Sequence, residues 1–288
     1  MLSGRGASRP ADHGDRVSIP VLEVQGLRKS FGDLVAVNDV SFILPPAGSL
    51  AIVGESGSGK TTIARMIVGL ERATGGQIVA CGNDRSRPAR SARDRRRRGR
   101  EVQIVFQDPY TSLDPRQNAR QAIEEILRLH LSLSAEQRHS RVDELVDLVG
   151  LDDRQARALP GALSGGQRQR VAIARALAAE PRVLILDESV AALDVSIQAQ
   201  VLNLLADIRD RTGVSYVLIS HDLAVVRQLT EDTIVLHRGC VVERGKTAAI
   251  LDDPQDEYTR LLRASVPYPG WKPMRRRSPE VQKEAMER

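Results

Sequence analysis

Three short stretches of this chain hold the residue types that phosphoryl chemistry needs. GESGSGKT (54–61) fits the pattern G-x-x-x-x-G-K-[ST], with an apolar run before it and a helical run, TTIARMIVGL, after it. Gly54, Gly57 and Gly59 free the backbone to fold its N–H groups around an anion, with Glu55, Ser56 and Ser58 completing the loop at the positive end of the following helix. Lys60 would reach the β- and γ-phosphates of a nucleotide, Thr61 would coordinate Mg²⁺, and Thr62 would lie on the α-phosphate side. VLILDES (183–189) ends an apolar strand in two acids. Asp187 at its tip is the expected Mg²⁺ ligand, directly or through water, and Glu188 would polarise the attacking water as general base. LSGGQRQ (163–169) places Ser164 as the N-cap of a helix whose first-turn N–H groups form a second anion site. Two glycines at a helix start weaken the helix, so they argue for a ligand there.

These residues need a rigid frame. VLEVQGL (21–27) and VNDVSFIL (37–44) have the β-branched, alternating pattern of antiparallel strands. SLAIVGE, IVFQ, VLILDE and VSYVLISHD are short apolar runs of the kind that form buried parallel strands, and helices between them imply a parallel sheet covered on both faces. From Asp108 to about Leu163 the pattern changes. QAIEEILRLHLSL and VDELVDLVGL carry apolar residues at three- and four-residue spacing, as amphipathic helices do, and Gly150 suits a helix end. The expected fold is α/β: a P-loop NTPase core with a mainly parallel sheet, an N-terminal antiparallel β-subdomain and an inserted helical subdomain over about 108–163. Residues 1–19 read as a polar, disordered tail, 20–253 as the ATPase domain, and 254–288 as an extension with a loosely held end.

Composition narrows the function. The 288 residues suffice for a full hydrophobic core, and 41% of them are apolar. No apolar run approaches the roughly 20 residues of a bilayer span and the N-terminus lacks a signal-type apolar stretch, so a soluble, cytoplasmic chain is expected. Cys81 and Cys240 stand apart from any Cys/His cluster and read as free thiols. The net charge of +5 is concentrated in RSRPARSARDRRRRGR (85–100), which holds nine Arg and one Asp; that local +8 leaves the rest of the chain at −3. The basicity reads as one solvated loop with no aromatic residue to stack on bases, which argues against nucleic acid as a partner.

With five motifs in one order, the chain resembles the nucleotide-binding subunit of an ATP-binding cassette (ABC) transporter over roughly residues 20–265. The resemblance implies ATP and Mg²⁺ as ligands. It assigns Gln107 in VFQDP to sensing the γ-phosphate and Mg²⁺, His221 in LISHD to contacting the γ-phosphate, and Asp194 in AALDVS to the seam between two cassettes. Ser164, Gly165, Gly166 and Gln167 would close the ATP site of a second cassette in trans. Phe31, in KSFGDLVAV, stands where the family stacks an aromatic ring on adenine, with Val37 packed beside it.

QDPYTSLDPR (107–116) and EYTRLLRASVP (257–267) are similar to the ATPases of dipeptide, oligopeptide and nickel importers. That likeness implies two integral-membrane permease subunits, a second ATPase subunit that is either the same chain or a paralogue, and an extracytoplasmic solute-binding protein, with this chain at the cytoplasmic face of the membrane. Two departures stand out. After Glu188 the family usually has Pro-Thr-Ser-Ala-Leu-Asp, where this chain has Ser189, Val190, Ala191, Ala192, Leu193 and Asp194, so the D-loop serine hydroxyl is missing. The cysteine cluster that some members carry near the C-terminus is also missing, and no iron–sulfur centre is expected. A cassette ATPase of nucleic acid or ribosomes would need two cassettes or long insertions, and a kinase or GTPase would not need LSGGQ.

Overall fold

In the computed structural model, which describes residues 19–108, 112–191 and 193–264, the alternating N-terminal runs become β1 (Leu22–Phe31) and β2 (Leu34–Leu44), paired antiparallel. β3 (Ser49–Val53) leads through the phosphate loop into α1 (Lys60–Val68). β4 (Gly75–Ala80) and β5 (Asn83–Asp84) then complete an antiparallel sheet of order β2-β1-β4-β5. α2 (Ala92–Glu101) precedes β6 (Val102–Val105). The helices α3 (Ala119–His130), α4 (Ala135–Leu148), α5 (Asp153–Arg157) and α6 (Gly165–Leu177) follow. β7 (Val183–Asp187), α7 (Val195–Thr212), β8 (Ser215–Ser220) and α8 (Leu223–Leu229) return the chain to the core. β9 (Asp232–His237), β10 (Cys240–Lys246), α9 (Thr247–Asp252) and α10 (Glu257–Ala264) end the described chain.

The central sheet has the order β10-β9-β3-β8-β7-β6, parallel except for β10. Every residue of β3, β7 and β8 is buried, and successive side chains serve opposite faces. Ala51, Leu184, Leu186, Tyr216 and Leu218 enter one apolar cluster with α3, α4, α6 and α7. Leu50, Ile52, Val183, Ile185, Val217 and Ile219 enter the other, with α1 and the antiparallel sheet. The sheet's C-terminal edge therefore sits between two cores, which is where α/β proteins place ligands. The β9–β10 hairpin extends the sheet beyond the four strands expected; Arg238 (φ 48°) and Gly239 (φ 81°) make its two-residue turn, both left-handed as a hairpin of this length demands.

Four helices in succession start the same way. Asn118, Ser134, Asp152 and Ser164 each accept from the N–H three residues on, while Gln121, Gln137, Gln155 and Gln167 bond back to the cap residue's N–H. QAIEEILRLHLSL is one helix only to His130, because Ser134 caps the next one. The arginine run is also different from the expected loop. Ser91 accepts from Asp94 N–H, and Asp94 pairs with Arg97 (2.6 Å) and Arg98 (3.2 Å) one turn on, so residues 92–101 are the helix α2. The expected tail over 1–18, the extension beyond 264, Pro109–Thr111 of QDPYTSLDPR and Ala192 lie outside the described residues.

Candidate active site

The phosphate loop is shaped by close backbone approaches that only glycine permits. A Cβ on Gly54 would stand 2.2 Å from the Leu236 carbonyl oxygen, and one on Gly59, which has φ 106°, would stand 2.4 Å from that of Ala36. Two distant elements also hold the loop. Gly239 N–H of the hairpin turn donates to Ser58 O (3.0 Å), the Tyr258 hydroxyl of α10 accepts from Glu55 N–H (3.0 Å), and the Tyr258 ring packs on His237 with centroids 3.9 Å apart. Lys60 is buried and turns its ammonium back onto the carbonyls of Gly54 and Glu55, both at 2.8 Å. Burial lowers its pKa, against the pull of Glu188, Asp187 and Glu55.

Across the loop lies the tip of β7. Thr61 Oγ1 donates to Asp187 Oδ1 at 3.2 Å, so the two residues expected to share a cation already touch. Burial pushes the Asp187 carboxyl above the usual carboxylate range; the hydrogen bond from Thr61 opposes this and the Glu188 charge adds to it. Glu188 occupies the left-handed region at φ 47°, a conformation costly for a residue with a Cβ, and its N–H donates to Ile219 O of β8 at 2.9 Å. The turn closes when Ala191 N–H donates to Glu188 O (3.1 Å). His221, exposed just beyond β8, brings Nδ1 to 3.5 Å from Glu188 Oε1.

A cavity of about 350 Å³ is lined by part of this set, while Gly54, Glu55, Ser58, Asp187 and His221 stand outside its lining. Ser56, Gly57, Gly59, Lys60, Thr61 and Thr62 line one side, with Gln107, Glu188 and Phe31 facing them. Phe31 is 46% exposed, with the Lys29 ammonium 4.5 Å from its ring centroid. Lys29 is in turn fixed by Glu71 (2.7 Å) and the Arg72 carbonyl (2.9 Å). Val37, expected beside the ring, is fully buried in the core behind Gly59, and Leu34 and Ala36 line the wall in its place. The apolar face of β2 claimed it. Lys29 and Tyr258 were missed as site residues; each acts through a contact 42 or 203 residues away in sequence, and neither lies in a motif for phosphate binding.

Ser164, Gly165, Gly166, Gln167 and Asp194 do not line this cavity. Ser164 forms the expected cap, accepting from Gln167 N–H at 3.3 Å. The second glycine has a packing reason that sequence reasoning denied it: a Cβ on Gly166 would stand 2.3 Å from Ile197 Cγ2 of α7. Asp194 stands at the start of α7 with its side chain exposed and making no cap, beside the 83% exposed Val195.

Comparison with known proteins bears on the family and the fold. The family model for ABC transporters matches residues 37–191. A peptide import ATP-binding protein of Brucella abortus (strain 2308) is 48% identical over 244 residues, which is 84% of this chain and 73% of the relative. The oligopeptide transport ATP-binding protein OppF of Lactococcus lactis is 41% identical over 235 residues, covering 82% of this chain and 73% of the relative. Among solved structures, the ATP-binding cassette MJ0796, a dimer bound to ADP and Pi, is 29% identical with a TM-score of 0.70 over 78% of this chain and 98% of that one. CbiO1 from Clostridium perfringens superimposes with a TM-score of 0.72 at 26% identity, over 81% and 91% of the two chains. The antiparallel sheet, the mainly parallel sheet and the helices between its strands form the ABC ATPase fold, and the chain belongs to the ABC transporter family.

Proposed function

We propose that this chain is the ATP-hydrolysing subunit of a bacterial ABC importer of peptides, working at the cytoplasmic face of a membrane through two separate permease subunits. One arrangement carries the catalytic reading. Glu188, forced into a left-handed turn at the tip of β7, faces the same cavity as Lys60, Thr61 and Gln107, with His221 3.5 Å behind it. Peptides are the solute class because the relatives from Brucella abortus and Lactococcus lactis are named for peptide and oligopeptide transport. No helix among the described residues is long and apolar enough to cross a membrane, which suits a subunit that relies on partners for the span.

In this reading, Lys60 leaves its two loop carbonyls for the β- and γ-phosphates, while the N–H groups of the loop and of the first turn of α1 hold the phosphate chain. Phe31, backed by Lys29, offers the adenine a flat face. The Glu188 carboxylate takes a proton from the attacking water. His221 orients that carboxylate and contacts the γ-phosphate, and Gln107 closes the far wall. Thr61 and Asp187 offer adjoining hard oxygen donors in a buried setting, and with Gln107 they suit Mg²⁺. When bound, the ion would neutralise charge on the phosphates. Ser164 to Gln167 and Asp194 do not line the cavity, and the family resemblance gives them to the nucleotide and seam of a second cassette, which makes the working unit a dimer.

The test is to isolate the chain with its permeases from native membranes and to measure ATP turnover with peptide-loaded binding protein. Stimulation by a peptide-loaded protein is expected. Absence of stimulation in every permease complex would overturn the importer assignment.

A further inference from the structure

The arginine segment that looked like a solvated loop builds one wall of a second cavity. It shares no lining residue with the ATP cavity, to which Glu71 and Arg72 connect only through Lys29, and it lies between the C-terminal end of α1 with its following turn and residues 85–99, enclosing about 660 Å³, within the range of small-molecule sites. Its polar lining is almost wholly cationic: Arg72, Arg85, Arg87, Arg95 and Arg98 against a single acid, Glu71. Glu71 is already committed to Lys29 at 2.7 Å.

The five arginines divide into two sets. Arg85 is buried and paired with Glu101 at 2.7 Å, and Arg98 is paired with Asp94 at 3.2 Å, so these two build the wall. Arg72, Arg87 and Arg95 are exposed and engage no acidic partner in an ion pair among the described residues. Like charges gathered around one cleft repel one another, and an anion that enters relieves the repulsion. Apart from Ser86, the rest of the lining is apolar or glycine, with Met66 and Ile78 buried and Leu70 65% exposed. Guanidinium groups bind phosphate oxygens in pairs, and the apolar lining needs a ligand with more than a bare anion to offer.

We propose that this cleft binds a phosphate ester carrying an apolar part, held by Arg72, Arg87 and Arg95 over the Met66, Leu70 and Ile78 surface. An anionic phospholipid headgroup with its glycerol, or a soluble phosphate ester, would present that chemistry.

Full-length protein should be titrated with phosphatidylglycerol/phosphatidylcholine vesicles, with phosphatidylcholine vesicles alone, and with dihexanoyl phosphatidic acid below its micelle concentration. Two double variants carry equal charge loss: Arg87→Ser with Arg95→Ser inside the cleft, and Arg93→Ser with Arg96→Ser on the exposed part of α2 outside its lining. Both spare the Arg85–Glu101 and Arg98–Asp94 pairs, and folding is checked by unchanged basal ATP hydrolysis. Binding of the anionic vesicles or of the soluble ester is expected, and which of the two binds identifies the source. The cleft variant should lose affinity by about fivefold or more, and the outer variant by less than about twofold. Equal losses in the two variants would reduce the effect to general surface charge and overturn the site. So would the absence of binding to either probe, or equal competition by a glutamate-rich peptide.

Discussion

The Glu188 carboxylate lies 3.5 Å from His221 Nδ1, although the two residues leave different strands. Register puts them together: β7 and β8 run parallel with Asp187 opposite Ile219, and the Glu188 N–H is bonded to that same Ile219. The acid proposed as general base is thus tied to the next strand by its backbone and to a histidine by its side chain.

Glu188→Gln should bind ATP as tightly as the parent while hydrolysis falls by about 10²-fold or more, because only the proton-accepting oxygen is lost. Single-turnover hydrolysis beside equilibrium ATP titration separates the two quantities. Normal turnover would remove Glu188 from the role of base.

Lys60→Ala should weaken nucleotide binding by about 10- to 100-fold, the loss expected for charge-assisted hydrogen bonds to phosphate. Titration with a fluorescent ATP analogue reads this directly. An unchanged affinity would mean that Lys60 keeps its bonds to Gly54 and Glu55 when ATP is bound.

Gly166→Ala tests whether packing fixes the second glycine of LSGGQ. In an open helix this change stabilises by up to about 1 kcal/mol. Here the added methyl meets Ile197, and a net loss of about 1–3 kcal/mol is expected in chemical denaturation. Ile197→Ala in the same chain should cancel most of that loss.

Asp187 gives a pH dependence with a definite sign. Its folded pKa lies above the ordinary value of 3.8, so its ionisation costs stability at neutral pH. That cost disappears as pH falls through the raised folded value towards the ordinary one. With chelator present and no nucleotide, Asp187→Asn should therefore raise the melting temperature at pH 7, and the gain should shrink toward pH 4. A constant gain across that range would show that charge is not its origin.

The local geometry of most of the candidate site was legible because its parts are close in sequence. The loop, the acidic strand tip and the Ser164 cap each depend on residues within a few positions of one another, where spacing alone dictates geometry. What escaped depends on distance or competition. Phe31 was found without the Lys29 that covers it, since Lys29 is positioned by Glu71 on the far side of α1. The family resemblance put Val37 beside Phe31, whereas alternation along β2 turns it into the core. The arginine run was read from its charge, which concealed a Ser91 cap and the pairing of Asp94 with arginines one turn away. The β9–β10 hairpin did leave a signal, two β-branched runs flanking Arg238–Gly239.

The backbone proposed to receive the phosphates is pinned by Gly239, Tyr258 and the Leu236 carbonyl, none of which belongs to the loop. Its conformational entropy is therefore surrendered during folding, before any nucleotide arrives. Association with ATP should lack the large unfavourable entropy of a loop that orders around its ligand. One of these contacts comes from α10, so the helix farthest along the described sequence helps fix the shape of the first motif.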